Sequence, residues 1–253
     1  MRYMKSTIAL AAALLLAQAG LAAPETQTIV SPARRVSLLE LYTSEGCSSC
    51  PPAEDWLAQW VDDPRLWTTL VPVNFHVDYW DYLGWRDPFD SPAYTERQAM
   101  LAAHDGHATV YTPGFVLNGT EWSDWFNHRP LLLDTPPAGR LQLRSSGRAV
   151  AVRYAPLATL APPLEIHVVL LAFGVDVPVA TGENGGRSLR HDFLVVSYAH
   201  SALPRRDADY ETRVQLPVPV SVKARRYALA AWISSRDDPT PLQAAGGWLA
   251  AAP

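Results

Sequence analysis

The chain has 253 residues, with 21 Lys and Arg against 25 Asp and Glu and a formal net charge of −4. Without a basic excess it lacks the electrostatic footprint of a nucleic-acid binder. With only 2 cysteines, a multi-disulfide scaffold and a four-thiolate zinc site are excluded by counting.

In chain order, the first segment reads as an export signal. Arg2 and Lys5 precede an apolar run over 8–17, and small residues follow at Gly20, Ala22 and Ala23. The run is shorter than the roughly 20 apolar residues a bilayer span needs. Removal of residues 1–23 would take the net charge from −4 to −6 and leave a mature chain with no membrane anchor. The expected location is the periplasm or the cell exterior, where disulfides persist.

Residues 36–42 (VSLLELY) form an apolar run suited to a buried strand, and it leads straight into TSEGCSSCPP. Trp56, Leu57, Trp60 and Val61 then recur at helical spacing, and 70–77 (LVPVNFHV) reads as a second strand. The resulting strand–helix–strand order favours a parallel pair. Ser91 followed by Pro92 marks a helix start. A third strand is expected over 109–111, and 115–117 runs into the hairpin turn Asn118-Gly119. Residues 134–139 (DTPPAG) read as a linker. Beyond it the chain is strand-like at 149–154, 164–173, 193–201, 210–216, 227–234 and 242–249, the pattern of a β-sandwich.

The chemistry-bearing feature is Cys47-Ser48-Ser49-Cys50, placed where a strand ends and a helix should begin. A helix N-terminus stabilises a thiolate, so Cys47 is the expected nucleophile and Cys50, one turn later, the resolving thiol. Glu45 opposes thiolate formation if it lies nearby. His76 and Asp78 share one face of the second strand by alternation. There the imidazole can hold a thiolate or shuttle a proton, with Asp78 setting its tautomer. Two other readings use the same residues. One is a copper or zinc site formed by Cys47, Cys50 and His76. The other is a binding module with a static disulfide, although closing so short a loop restricts the unfolded chain by only about 2 kcal/mol. The aromatic residues Tyr79, Trp80, Tyr82, Trp85 and Phe89 read as a loop packed over its own unit, and His104 and His107 as helix caps.

The segments LELYTSEGCSSCPP, FHVDYWDYLGWRDP, Tyr111-Thr112-Pro113 and GENGGRSLRH together resemble a family of predicted secreted bacterial proteins of unknown function, placed in the thioredoxin-like superfamily. That resemblance implies that Cys47 and Cys50 match the redox pair and that Pro113, after Thr112, matches the cis-proline facing it. Ser48-Ser49 and Pro51-Pro52 depart from thioredoxin's residues around the cysteines, so its reduction potential does not carry over.

The expected architecture is a two-domain α+β chain: a thioredoxin-like α/β domain over 34–133, the linker 134–139, and a β-sandwich accessory domain over 140–253. The expected activity is thiol–disulfide exchange through Cys47, Cys50 and Pro113, supported by His76, Asp78 and Thr112. Its partners would be protein thiols or disulfides and an unidentified redox partner, and no cofactor is called for.

Overall fold

The computed structural model of the protein describes residues 26–250 apart from 128, 159, 161 and 162. The expected export signal, 1–23, lies outside the described residues. The first half supplies β1 (Gln27–Val30), β2 (Ser37–Thr43), α1 (Pro51–Ala58), β3 (Leu70–His76), α2 (Pro92–His104), β4 (Gly114–Leu117) and β5 (Thr120–Glu121). The second half supplies β6 (Arg140–Ser146), β7 (Ala149–Ala155), β8 (Leu164–Phe173), β9 (Val175–Pro178) and β10 (Ser188–His191). It ends with β11 (Leu194–Leu203), β12 (Arg205–Arg206), β13 (Asp209–Gln215), β14 (Arg226–Ser235) and β15 (Gln243–Trp248).

Local signals account for several of these elements. The Ser91 side chain accepts from the Ala93 amide and Pro92 opens α2, the cap-plus-proline start the sequence indicates. Asn118 and Gly119 both adopt positive φ, 51° and 89°, as a tight two-residue hairpin between β4 and β5 requires. Residues 109–111 form no strand. The Tyr111 carbonyl is instead taken by the Gln98 amide of α2 at 2.8 Å.

The larger arrangement differs from the expected one. β2 and β3 pair in parallel from Ser37↔Leu70 to Thr43↔His76, and β4 lies antiparallel on the other side of β2. On its free side β3 takes β11 from the second half, in parallel at Leu194↔Asn74. A single eight-stranded sheet, β15-β14-β8-β11-β3-β2-β4-β5, therefore runs through both halves. A five-stranded antiparallel sheet, β1-β6-β7-β13-β12, accompanies it, and β1 comes from the N-terminal half. The fold is β-rich and continuous, and the expected thioredoxin-like α/β domain with a separate sandwich is not what forms.

The reason lies in how the long strands bury their side chains. All seven residues of β3 are buried, so the strand needs a neighbour on each edge and cover on both faces. β8 and β14 are likewise two-faced. Leu164, Ile166, Val168 and Leu170 of β8 pack with Leu141, Leu143, Val150 and Val152 of the five-stranded sheet. Val169, Leu171 and Phe173 enter the other cluster, with Val71, Val73 and Phe75 of β3. In β14, Leu229 and Ile233 face the first cluster while Ala230 and Trp232 face the second. A strand apolar on both faces cannot sit in a sandwich with one solvated side.

One ion pair sits inside this core. Arg97 of α2 donates to both carboxylate oxygens of Glu40 in β2, at 2.6 and 3.0 Å, and its guanidinium lies 4.8 Å from the ring centroid of Trp232. The Tyr42 hydroxyl donates to the same carboxylate at 2.9 Å. Removing one member leaves the other charge buried and unpaired, which costs about 3–5 kcal/mol, whereas an apolar replacement of both is far milder. Urea denaturation of Arg97→Met should therefore show a loss of about 3–5 kcal/mol, and Glu40→Leu combined with Arg97→Met should recover much of it.

Candidate functional site

Cys47 and Cys50 are joined in a disulfide with Cα atoms 5.4 Å apart, in the turn between β2 and α1. The Cys47 amide donates to Ser44 O at 3.1 Å, the Cys50 amide to Cys47 O at 3.2 Å, and the Cys50 carbonyl then accepts from Ala53 and Glu54. Cys50 thus caps the helix through its backbone. Pro51 and Pro52 carry no N–H, so the first turn of α1 offers fewer free donors to a sulfur than an ordinary helix start. A nucleophilic Cys47 needs access to a partner, yet both cysteines are at 0% exposure, while Ser48 and Ser49 between them are exposed.

A loop from the second half holds this turn. The Asn184 amide donates to the carbonyls of both Glu45 and Cys47, each at 2.9 Å. Glu183 accepts from the Ser48 amide at 3.0 Å and from its hydroxyl at 2.6 Å, and these two hydrogen bonds hold its carboxyl below the ordinary value. Thr181 donates to Gly84 O at 2.5 Å, tying the same loop to the aromatic segment. In the sequence, TGENGGR reads as a glycine-rich turn of unknown role. In the structure it is the clasp on the cysteines.

Beside the disulfide turn lies a buried network of carboxylates and imidazoles. His191, at the end of β10, contacts Glu54 Oε2 through Nδ1 at 2.5 Å and Glu45 Oε1 through Nε2 at 3.2 Å. His76 contacts Asp87 Oδ2 through Nδ1 at 2.7 Å. Asp87 also accepts from the Glu45 amide at 2.8 Å and the Phe89 amide at 2.9 Å, and the Trp85 indole donates to Glu45 at 2.7 Å. Glu54 accepts from Thr43 at 3.0 Å and Asn74 at 3.2 Å.

These contacts set the charges. Burial alone would push the His191 imidazole down, but the Glu54 charge and the hydrogen bonds with Glu45 and Glu54 raise it to about 10. Burial pushes Glu54 up, and the His191 charge and hydrogen bond outweigh it, leaving the carboxyl below its ordinary value. For His76 and Asp87, burial again opposes ionisation, yet their mutual charge and hydrogen bond raise the imidazole and lower the carboxyl.

Cys47 and Cys50 are brought together as a disulfide, and His76 joins Glu54 and His191. Asp78 does not reach His76, because β3 ends at His76; its carboxylate accepts from Thr95 of α2 at 2.6 Å, and Asp87 takes the place beside the imidazole. The Thr112-Pro113 bond is cis, and the Thr112 hydroxyl accepts from the Trp80 indole at 2.7 Å. Trp80 in turn backs Gly46, where an added Cβ would stand 3.0 Å from the Trp80 Cβ. The aromatic loop packs against both halves: Tyr79 and Trp80 lie on one core cluster, Phe89 enters the other, which is built mainly from the second half, and Tyr82 is 78% exposed. His104 and His107 face Asp238, Asp105 and Glu121 at the surface, away from this network.

The sequence reading missed Glu54, Asp87, Glu183, Asn184 and His191. A signal for Glu54 was present, since it lies between Ala53 and Leu57 on the inward side of α1, where an acid needs a partner.

Fold and site together define a β-rich protein with a CxxC disulfide at a strand–helix junction, backed by a buried imidazole–carboxylate network. Residues 38–234 match the family described as "Protein of unknown function (DUF1223)", and the chain belongs to that family. No curated protein matches it. Among solved structures, a protein from Agrobacterium tumefaciens is similar with 23% identity and a TM-score of 0.54, covering 85% of this chain and 94% of its own. HBP35 of Porphyromonas gingivalis is similar with 14% identity and a TM-score of 0.60, covering 88% of this chain and 77% of its own. At these identities the likeness is one of fold.

The clasp yields a direct test. Asn184→Ala would leave the buried carbonyls of Glu45 and Cys47 without their donor, a loss of about 1–3 kcal/mol. Urea denaturation should show a drop in that range, and hydrogen exchange should rise first in residues 44–50.

Proposed function

We propose that this protein is an exported thiol–disulfide oxidoreductase acting through Cys47 and Cys50 on protein thiols or disulfides in the periplasm or outside the cell. The observation that carries the reading is the disulfide itself, closed across the two exposed residues Ser48 and Ser49 at the β2–α1 junction. So short a bridge restricts the unfolded chain by only about 2 kcal/mol, so its reactivity is the stronger reason for it. Among the described residues no helix is long and apolar enough to cross a membrane.

In the oxidised form a partner thiolate attacks Cys47 Sγ, and Cys50 leaves as a thiolate. A second partner thiolate attacks the partner's own sulfur in the mixed disulfide and releases Cys47. The partner gains a disulfide and loses two electrons, and the chain holds both as the Cys47/Cys50 dithiol. Run backwards, the same steps reduce a partner disulfide. Because both cysteines are buried, attack requires the turn to open, and the hydrogen bonds of Glu183 and Asn184 to it control that movement.

Trapping tests the assigned roles. Cys50→Ser should accumulate mixed disulfides with glutathione or a protein thiol, seen by mass spectrometry, while Cys47→Ser should accumulate few. Equal trapping by the two variants, or none by either, contradicts the assignment.

A further inference from the structure

We propose that Glu54, His76 and His191 form a binding site for one divalent transition-metal ion, with zinc the best-matched ion. Each of the three offers a ligand atom within 4.8 Å of the other two, and all three residues are buried. The two imidazole rings stand 4.9 Å apart by centroid and nearly perpendicular, at 78°.

The observation that points to a ligand is His76 Nε2. It is fully buried and has no hydrogen-bond partner among the described residues, a costly state for a ring nitrogen beside two other side chains able to ligate a metal. A second buried acceptor, Asn74 Oδ1, is also unpartnered among the described residues, on the strand position two residues before His76.

The ring nitrogens that would not bind the ion are already anchored. Asp87 holds His76 Nδ1 at 2.7 Å, and Glu45 holds His191 Nε2 at 3.2 Å. Carboxylates placed behind both imidazoles orient the rings and increase their basicity, the arrangement usual for metal-bound histidine. Two imidazole nitrogens and one carboxylate oxygen form a zinc-type donor set, and the three nearby carboxylates offset a doubly positive ion in a buried place.

One contact must give way. His191 Nδ1 and Glu54 Oε2 are 2.5 Å apart, whereas two ligands of a tetrahedral zinc stand about 3.3 Å apart. Opening that pair by less than an ångström, with loss of the proton between them, admits the ion. This set excludes the cysteines, which are bonded to each other, and it is independent of their redox role.

The test uses the full mature chain, stripped with a chelator, dialysed against zinc or cobalt(II), and assayed for metal per chain. The expected result is one ion per chain, a cobalt spectrum of nitrogen and oxygen ligation without thiolate charge transfer, and unchanged stoichiometry in the Cys47→Ser/Cys50→Ser double variant. His76→Ala should weaken affinity at least tenfold. If that variant fails to fold, the ¹⁵N shift of His76 Nε2 in the wild-type protein on zinc addition serves instead. Absence of stoichiometric binding, binding undiminished by His76→Ala, a His76 Nε2 signal unmoved by zinc, or binding lost with the cysteines would overturn the proposal.

Discussion

A buried histidine between two carboxylates ties this structure together. His191 lies 137 residues from Glu54 and 146 from Glu45, yet it contacts both inside the protein. Burying three ionisable groups is tolerable only when each meets a partner of opposite charge or a donor, so the end of β10, the disulfide turn and helix α1 must occupy one place together. The continuous eight-stranded sheet provides that place. β11 follows His191 by two residues and docks on β3, the strand that carries His76.

The clasp on the cysteines follows from the same constraint. Once His191 is fixed, the preceding loop passes over the disulfide turn, and Glu183 and Asn184 reach Ser48, Glu45 and Cys47. The second half of the chain is therefore part of the site. It clasps the disulfide turn, supplies one of the two central imidazoles, and provides the sheet neighbour for β3. A chain cut after the first half would lose all three, whatever the quality of its CxxC motif.

The sequence made the local elements legible. The apolar runs of β2 and β3, the Ser91-Pro92 start of α2, the Asn118-Gly119 hairpin and the long strands β8, β11 and β14 follow from periodicity and turn chemistry over short spans. The division of the chain into sheets was not legible in the same way. Whether β11 stays in a separate sandwich or joins β3 depends on one long-range pairing, and nothing local in residues 194–203 marks it. The buried network was hidden for a related reason. Glu54, Asp87 and His191 read singly as ordinary polar residues, and their meaning appears only when three distant segments meet. Asp78 shows the converse: alternation placed it beside His76, but the strand stopped two residues before it.

The central claim is that the Cys47–Cys50 bridge reacts within the intact fold. The direct measurement is equilibration of the mature protein across a series of reduced-to-oxidised glutathione ratios. Thiol labelling with mass spectrometry reports the bridge, and near-ultraviolet circular dichroism reports tertiary packing in the same samples. The account predicts a reversible transition between disulfide and dithiol with the packing signal unchanged. A bridge that resists reduction until the packing signal is lost would contradict it and mark the disulfide as a static element of the structure.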